Sequence, residues 1–118
     1  MMPSTAPLDR FRGYAEIASW DAGRQLARAR RSGVDVDEIA LRIDDFHGYA
    51  VTRTEVFPES VLRPLSELNA LFGAMARDDW EHAAVRLSPR WAASRVLAAS
   101  VAEQMGDCYR LLPDEAWD

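Results

Sequence analysis

The run Arg24-Gln25-Leu26-Ala27-Arg28-Ala29-Arg30-Arg31, followed at once by Ser32-Gly33-Val34-Asp35-Val36-Asp37-Glu38, decides how this chain is divided. A basic stretch meets an acidic stretch across one glycine. Arginines in a last helical turn and acids in a first turn both complement the helix macrodipole. Gly33 sits where a left-handed C-terminal cap is expected. Asp35 and Glu38, three residues apart, have the spacing of a capping box. The stretch therefore reads as the end of one helix and the start of the next.

The competing reading is a nucleic-acid surface, with the two helices as a helix-turn-helix. The second helix would then be the reader, and it carries Asp37, Glu38, Asp44 and Asp45 against Arg42. Phosphates would repel it. The whole chain points the same way: its formal net charge is −5, whereas nonspecific nucleic-acid affinity comes from neutralising phosphates. Nucleic acid is not the expected partner; a more basic protein is.

Upstream, the spacing predicts one helix over about 12–31, with Ala15, Ala18, Ala22, Leu26 and Ala29 on one small-residue face, widened by Tyr14, Ile17 and Trp20. Residues 1–8 read as a tail docked through Leu8 and Phe11, and 9–118 as a single helical domain. Downstream, Val36, Ile39, Ala40, Ile43 and Phe46 form the apolar face of a second helix that Gly48 is expected to stop. Residues 49–57 are rich in β-branched and aromatic types without a partner strand. They are either a connector or a strand that pairs with another chain.

Pro58 and Pro64 bracket the start of a third helix, in keeping with proline in a first turn. Val61, Leu65, Leu68, Phe72 and Met75 repeat with steps of 4, 3, 4 and 3. A short helix from Asp78-Asp79 to Leu87 follows, with Trp80, Ala83, Ala84 and Leu87 on one side. Ser88-Pro89 supplies an N-cap and an N1 proline. The last long helix is expected to run to about Met105, with Ala93, Val96, Leu97, Ser100, Val101 and Gln104 inward, and Gly106 ends it. Leu111, Leu112 and Trp117 are the expected anchors of the terminal segment. The sum is an all-α, irregular, partly orthogonal bundle of four to five helices, with 49–57 as its one candidate extended segment.

Composition bounds the chemistry. At 118 residues one core is expected. All 14 basic residues are arginine, which excludes Schiff-base chemistry, a P-loop lysine and a lysine general base. Cys108 is the only cysteine, so no internal disulfide can form, and with no cation near it but Arg110 it reads as an idle thiol. No run approaches the length of a membrane span, and the opening residues do not resemble a secretory signal. A cytoplasmic location is the expectation, with no cofactor and no membrane partner.

Two constellations remain. Asp44-Asp45-Phe46-His47 and Asp79-Trp80-Glu81-His82 share the spacing Asp-x-x-His. On a helix, i and i+3 lie on one face, so Asp44, His47, Asp79 and His82 are the candidate ligands of a metal-dependent helical enzyme. The acids offer a second surface. Asp37, Glu38, Asp44, Asp45, Asp78, Asp79, Glu81 and the terminal Trp117 are the candidate partner-binding residues of a non-enzymatic protein-binding domain, such as an inhibitor, an immunity-type or antitoxin-type protein, or an adaptor. Rim charges of that kind speed encounter, while aromatic anchors supply affinity. The protein-binding reading leads, the metal enzyme is the alternative, and a DNA-binding regulator comes third. Self-association through 49–57 or through the alanine-rich first helix is a separate expectation.

Overall fold

The computed structural model describes residues 6–107. They form an all-α bundle with no strand among the described residues: α1 (Ala6–Ser19), α2 (Ala22–Ser32), α3 (Asp37–Ala50), α4 (Glu59–Gly73), α5 (His82–Leu87) and α6 (Pro89–Gln104), with 3-10 turns at Arg77–Trp80 and Met105–Asp107. α1, α3, α4 and α6 pack each against the next, around to α1 again, and enclose the core. The shorter α2 and α5 pack on one another, and α5 also packs on α6. This appended pair makes the bundle irregular.

The expected first helix is two helices. Asp21 has extended backbone (φ −63°, ψ 161°), and its carboxylate accepts from the Arg24 N–H at 3.0 Å, an N-cap that starts α2 afresh. The even alanine spacing crosses this break and hides it. α1 also begins earlier than expected, at Ala6, so residues 6–8 of the expected tail are helical, and Leu8 and Phe11 are buried.

The seam between α2 and α3 ends as the charge pattern indicates but starts differently. Gly33 adopts φ 68°, and its N–H reaches the Ala29 carbonyl. The Asp35–Glu38 capping box does not form. Val36 is the N-cap and has no side-chain cap. The Glu38 N–H bonds to the Asp35 main-chain carbonyl, and the Glu38 carboxylate instead pairs with Arg42 at 2.8 Å. Gly48 does not end α3, which continues to Ala50 because Ala50 is itself part of the core.

Val36, Ile39, Ile43, Phe46 and Ala50 are buried at steps of 3 and 4, as are Val61, Leu65, Leu68 and Phe72 on α4. Each large side chain of this kind stabilises the fold by about 1.5–3 kcal/mol. Pro64 stands inside α4, past the first turn in which proline is usual, on a half-buried edge. Residues 51–57 are a connector of successive turns: the Arg53 N–H bonds to the Ala50 carbonyl, and the Val56 and Phe57 N–H groups bond to the Arg53 carbonyl. Val56 and Phe57 are buried.

Two aromatic clusters tie the helices together. Phe11 stacks on Phe46 (4.9 Å, 7°), and Phe57 meets Phe46 edge-on, joining α1, α3 and the connector. Phe72, Trp80 and Trp91 form a second cluster across α4, the 3-10 turn and α6. The Trp91 indole donates to the Asp79 carbonyl at 2.7 Å.

The inward face of α6 is Trp91, Ser94, Ala98, Val101 and Met105, so Val96 points out and is 71% exposed. Trp91 sets this rotation, since the bundle buries it completely. The expected short helix is likewise split at Glu81, leaving Val85 as its buried residue and Leu87 82% exposed.

Parts of the two surfaces expected to mediate self-association pack within the chain. Ala15 and Ala18 are fully buried on α1, which packs on α6, and Val56 and Phe57 lie in the core.

Gln25 is the largest polar side chain in the interior, only 1% exposed. Its amide nitrogen donates to the Ile17 and Ala18 carbonyls, both at 3.1 Å. Its oxygen accepts from Arg95 Nε at 3.1 Å. Arg95 also donates through Nη2 to the Val85 carbonyl near the end of α5. Burial draws the Arg95 guanidinium below its ordinary pKa, with Asp21 opposing that shift. Gln25→Ala strips these carbonyls and Arg95 of their shared partner. It is expected to lower stability by about 2–3 kcal/mol, measured by urea unfolding.

Candidate functional site

The two Asp-x-x-His units are held in different places and for different purposes. His47 lies on α3 against α4. Its Nε2 is 3.1 Å from Ser66 Oγ, and its Nδ1 is 3.3 Å from Asn69 Nδ2. The pattern closes when Nδ1 accepts from the Asn69 amide and Nε2–H donates to Ser66. Both ring nitrogens then have protein partners and neither is left to ligate a cation. The same Asn69 amide donates to Asp44 Oδ1 at 3.3 Å. This i, i+3 pair is a clamp between two helices.

In the second unit, Asp79 Oδ2 accepts from the Ala76 N–H at 2.8 Å and from Arg90 Nη1 at 3.0 Å. That carboxylate fixes the 3-10 turn that carries Trp80 and ties it to α6. His82 starts α5 and lines a polar concavity with Arg30, Asp35 and Arg86. Among the described residues, no three side chains of His, Cys, Asp or Glu gather as a metal-binding group.

Several arginines are engaged one by one. Arg12, Arg42, Arg63 and Arg90 pair with Glu16, Glu38, Glu59 and Asp79. Arg24 lies over the Trp20 ring at 4.2 Å, and Arg95 is engaged in the interior.

A different site emerges where α3 meets α4 and the 3-10 turn. A groove of about 350 Å³ runs there, with Ala40, Leu41, Phe72 and Trp80 along it and Asp37 and Asp44 on its α3 side. Asp37, Leu41 and Asp44 stand at i, i+4 and i+7, so they form one stripe, with the two carboxylate positions two turns apart, about 10 Å along the axis. Leu41 is 56% exposed, a large apolar side chain between two acids. Asn69 orients the Asp44 carboxylate from across the groove. Trp80 is half-buried, stacked on Phe72 at 6.2 Å and set edge-on to Trp91 at 5.9 Å.

The eight candidate partner-binding residues are thus separated by the fold. Asp37 and Asp44 share the groove. Glu38 is paired with Arg42, and Asp79 is committed to Arg90 and the Ala76 N–H. Asp45 is exposed without lining the groove, and exposed Asp78 and Glu81 lie on the segment that carries Trp80. Trp117 lies outside the described residues, as do Cys108, Leu111 and Leu112. Leu41 and Trp80 were not legible as a pair, because Leu41 interrupts an acidic face and Trp80 reads as core. Their neighbourhood depends on how the 3-10 turn folds back over α4.

His47→Ala and His82→Ala, singly and combined, are expected to change stability additively to within about 0.5 kcal/mol, with or without added zinc. Urea unfolding of the double-mutant cycle checks this; strong coupling that appears on adding zinc would place both histidines at one ion. Comparison with family models, with curated proteins and with solved structures finds no match to this chain.

Proposed function

We propose that this protein is a small acidic protein-binding domain that receives a basic segment of a partner protein in the α3–α4 groove. The observation that carries this reading is the combination of an exposed Leu41 and a half-buried Trp80 with the Asp37 and Asp44 carboxylates in one concavity. An arginine or lysine of a partner has the matching character: an apolar stem that covers a hydrophobic floor and a cationic head that reaches carboxylates. The net charge of −5 adds long-range attraction for such a partner. An inhibitor, an immunity-type or antitoxin-type protein, or an adaptor would use a surface of this kind. Neither alternative has comparable support. The Asp-x-x-His units serve helix packing and turn geometry, and four arginines are matched one to one with acids.

The test compares tagged wild-type protein with a Leu41→Glu, Asp44→Arg double variant in affinity capture at about 0.1 M salt. Leu41 and Asp44 are exposed, so the variant is expected to fold, and circular dichroism checks this. A basic protein enriched by wild type, lost from the variant and released as salt is raised is the expected outcome. Equal capture by both proteins, or no enrichment by either, would sink the proposal.

A further inference from the structure

Another face of α3 borders a smaller, partly open cavity of about 130 Å³, lined by α1, the last turns of α2 and the first turns of α3. Its apolar walls are Ile17, Val34 and Ile39. Tyr14 and Arg42 close one side, with the Arg42 guanidinium carbon 5.7 Å from the Tyr14 ring centroid. Arg42 is already committed to Glu38 at 2.8 Å. Arg28, on the opposing helix, also lines the cavity, with Ser32 one turn further on. Among the described residues Arg28 has no hydrogen bond, ion pair or aromatic partner, unlike the arginines that pair with acids along α1, α3 and α4.

The charged groups that line the cavity are therefore Arg28 and Arg42 against Glu38, a local excess of one positive charge in a chain of net charge −5. We infer that this cavity binds a small monocarboxylate with a compact apolar body, its carboxylate on the Arg28 guanidinium and its body against Ile17, Val34 and Ile39. Size, charge and chemistry each favour that class. Closed apolar cavities of about 150 Å³ hold a benzene ring, and this partly open one, of similar volume, has room for the body of a single ring or a short branched chain. A guanidinium presents two parallel N–H donors that match a carboxylate, and such charge-assisted pairs are stronger than neutral hydrogen bonds. Ser32 adds a hydroxyl near the same end. A dianion would exceed the local charge, and a neutral ligand would gain no charge-assisted pair from Arg28. The site shares no residue with the α3–α4 groove, so it stands or falls independently of the protein-binding proposal.

Benzoate serves as the probe and benzamide as its neutral isostere, each titrated into the full-length protein by calorimetry. Benzoate is expected to bind saturably at one site, at least about tenfold more tightly than benzamide. Arg28→Gln is expected to abolish that preference. Arg24→Gln, whose guanidinium lies over Trp20 outside the cavity, is expected to retain it. Equal binding of the two probes, absence of saturation, or an unchanged preference in Arg28→Gln would each overturn the assignment. Should Arg28→Gln fail to fold, the comparison of the two probes on wild type still decides.

Discussion

The fold depends on a constraint at its end, where α1 stops and its last carbonyls must find donors inside the protein. Helix termini leave unpaired carbonyls, and a buried one without a partner costs about 1–3 kcal/mol. Here the Gln25 amide from the following helix donates to the Ala18 carbonyl and, alongside the Trp20 N–H, to the Ile17 carbonyl, and Arg95 from α6 holds it in place. Arg95 extends the arrangement to the α5 carbonyl of Val85. One glutamine and one arginine thus fix four helices: the end of α1, the start of α2, the end of α5 and the middle of α6. Apolar burial drives the bundle together but is nondirectional. This network supplies direction and sets where the short α2–α5 pair sits on the four longer helices.

That placement shapes the surface. With α2 folded back after Asp21, its last turns face the start of α3 and border the cavity lined by Arg28. With the 3-10 turn held by Asp79, Arg90 and the Trp91 indole, Trp80 is brought onto Phe72 beside α3. Both concavities are by-products of turns rather than of the long helices. The acidic residues divide accordingly. Asp79 and Glu38 hold structure, while Asp37 and Asp44 face the groove. The exposed i, i+4 pairs at Arg12–Glu16 and Arg63–Glu59 contribute little, since solvent screens them.

Much of the architecture was legible from residue order. The stripes on α3 and α4 stand in the sequence almost residue for residue, because burial on one face leaves a 3–4 spacing that needs no knowledge of neighbours. Gly33 and Ser88 were legible for a local reason as well: a left-handed backbone and a side-chain N-cap are properties of a few consecutive residues. The failures share the opposite cause. The α1–α2 break was hidden because an alanine-rich pattern is compatible with either a continuous or a broken helix. The α6 face was read one step out of rotation because its outward side is also apolar, with Ala93, Val96 and Ala99 exposed. When a helix is apolar all round, only the tertiary neighbours select which face turns inward, and here they select the one with Trp91.

The same division holds for function. Residue order alone specifies an all-α chain of acidic character, without lysine chemistry, and marks those helix ends that rest on a local signal, such as the left-handed Gly33 and the Ser88 N-cap. Which acids meet which apolar groups is settled by how the helices dock. Asp44 and His47 are three residues apart in any helix, but whether they face a second Asp-x-x-His unit or the Ser66 and Asn69 side chains of α4 depends on how two helices dock. Local signals reach about one turn along the chain, whereas a binding surface is assembled from residues tens of positions apart, and their meeting is set by packing and by the few buried polar groups that must be satisfied.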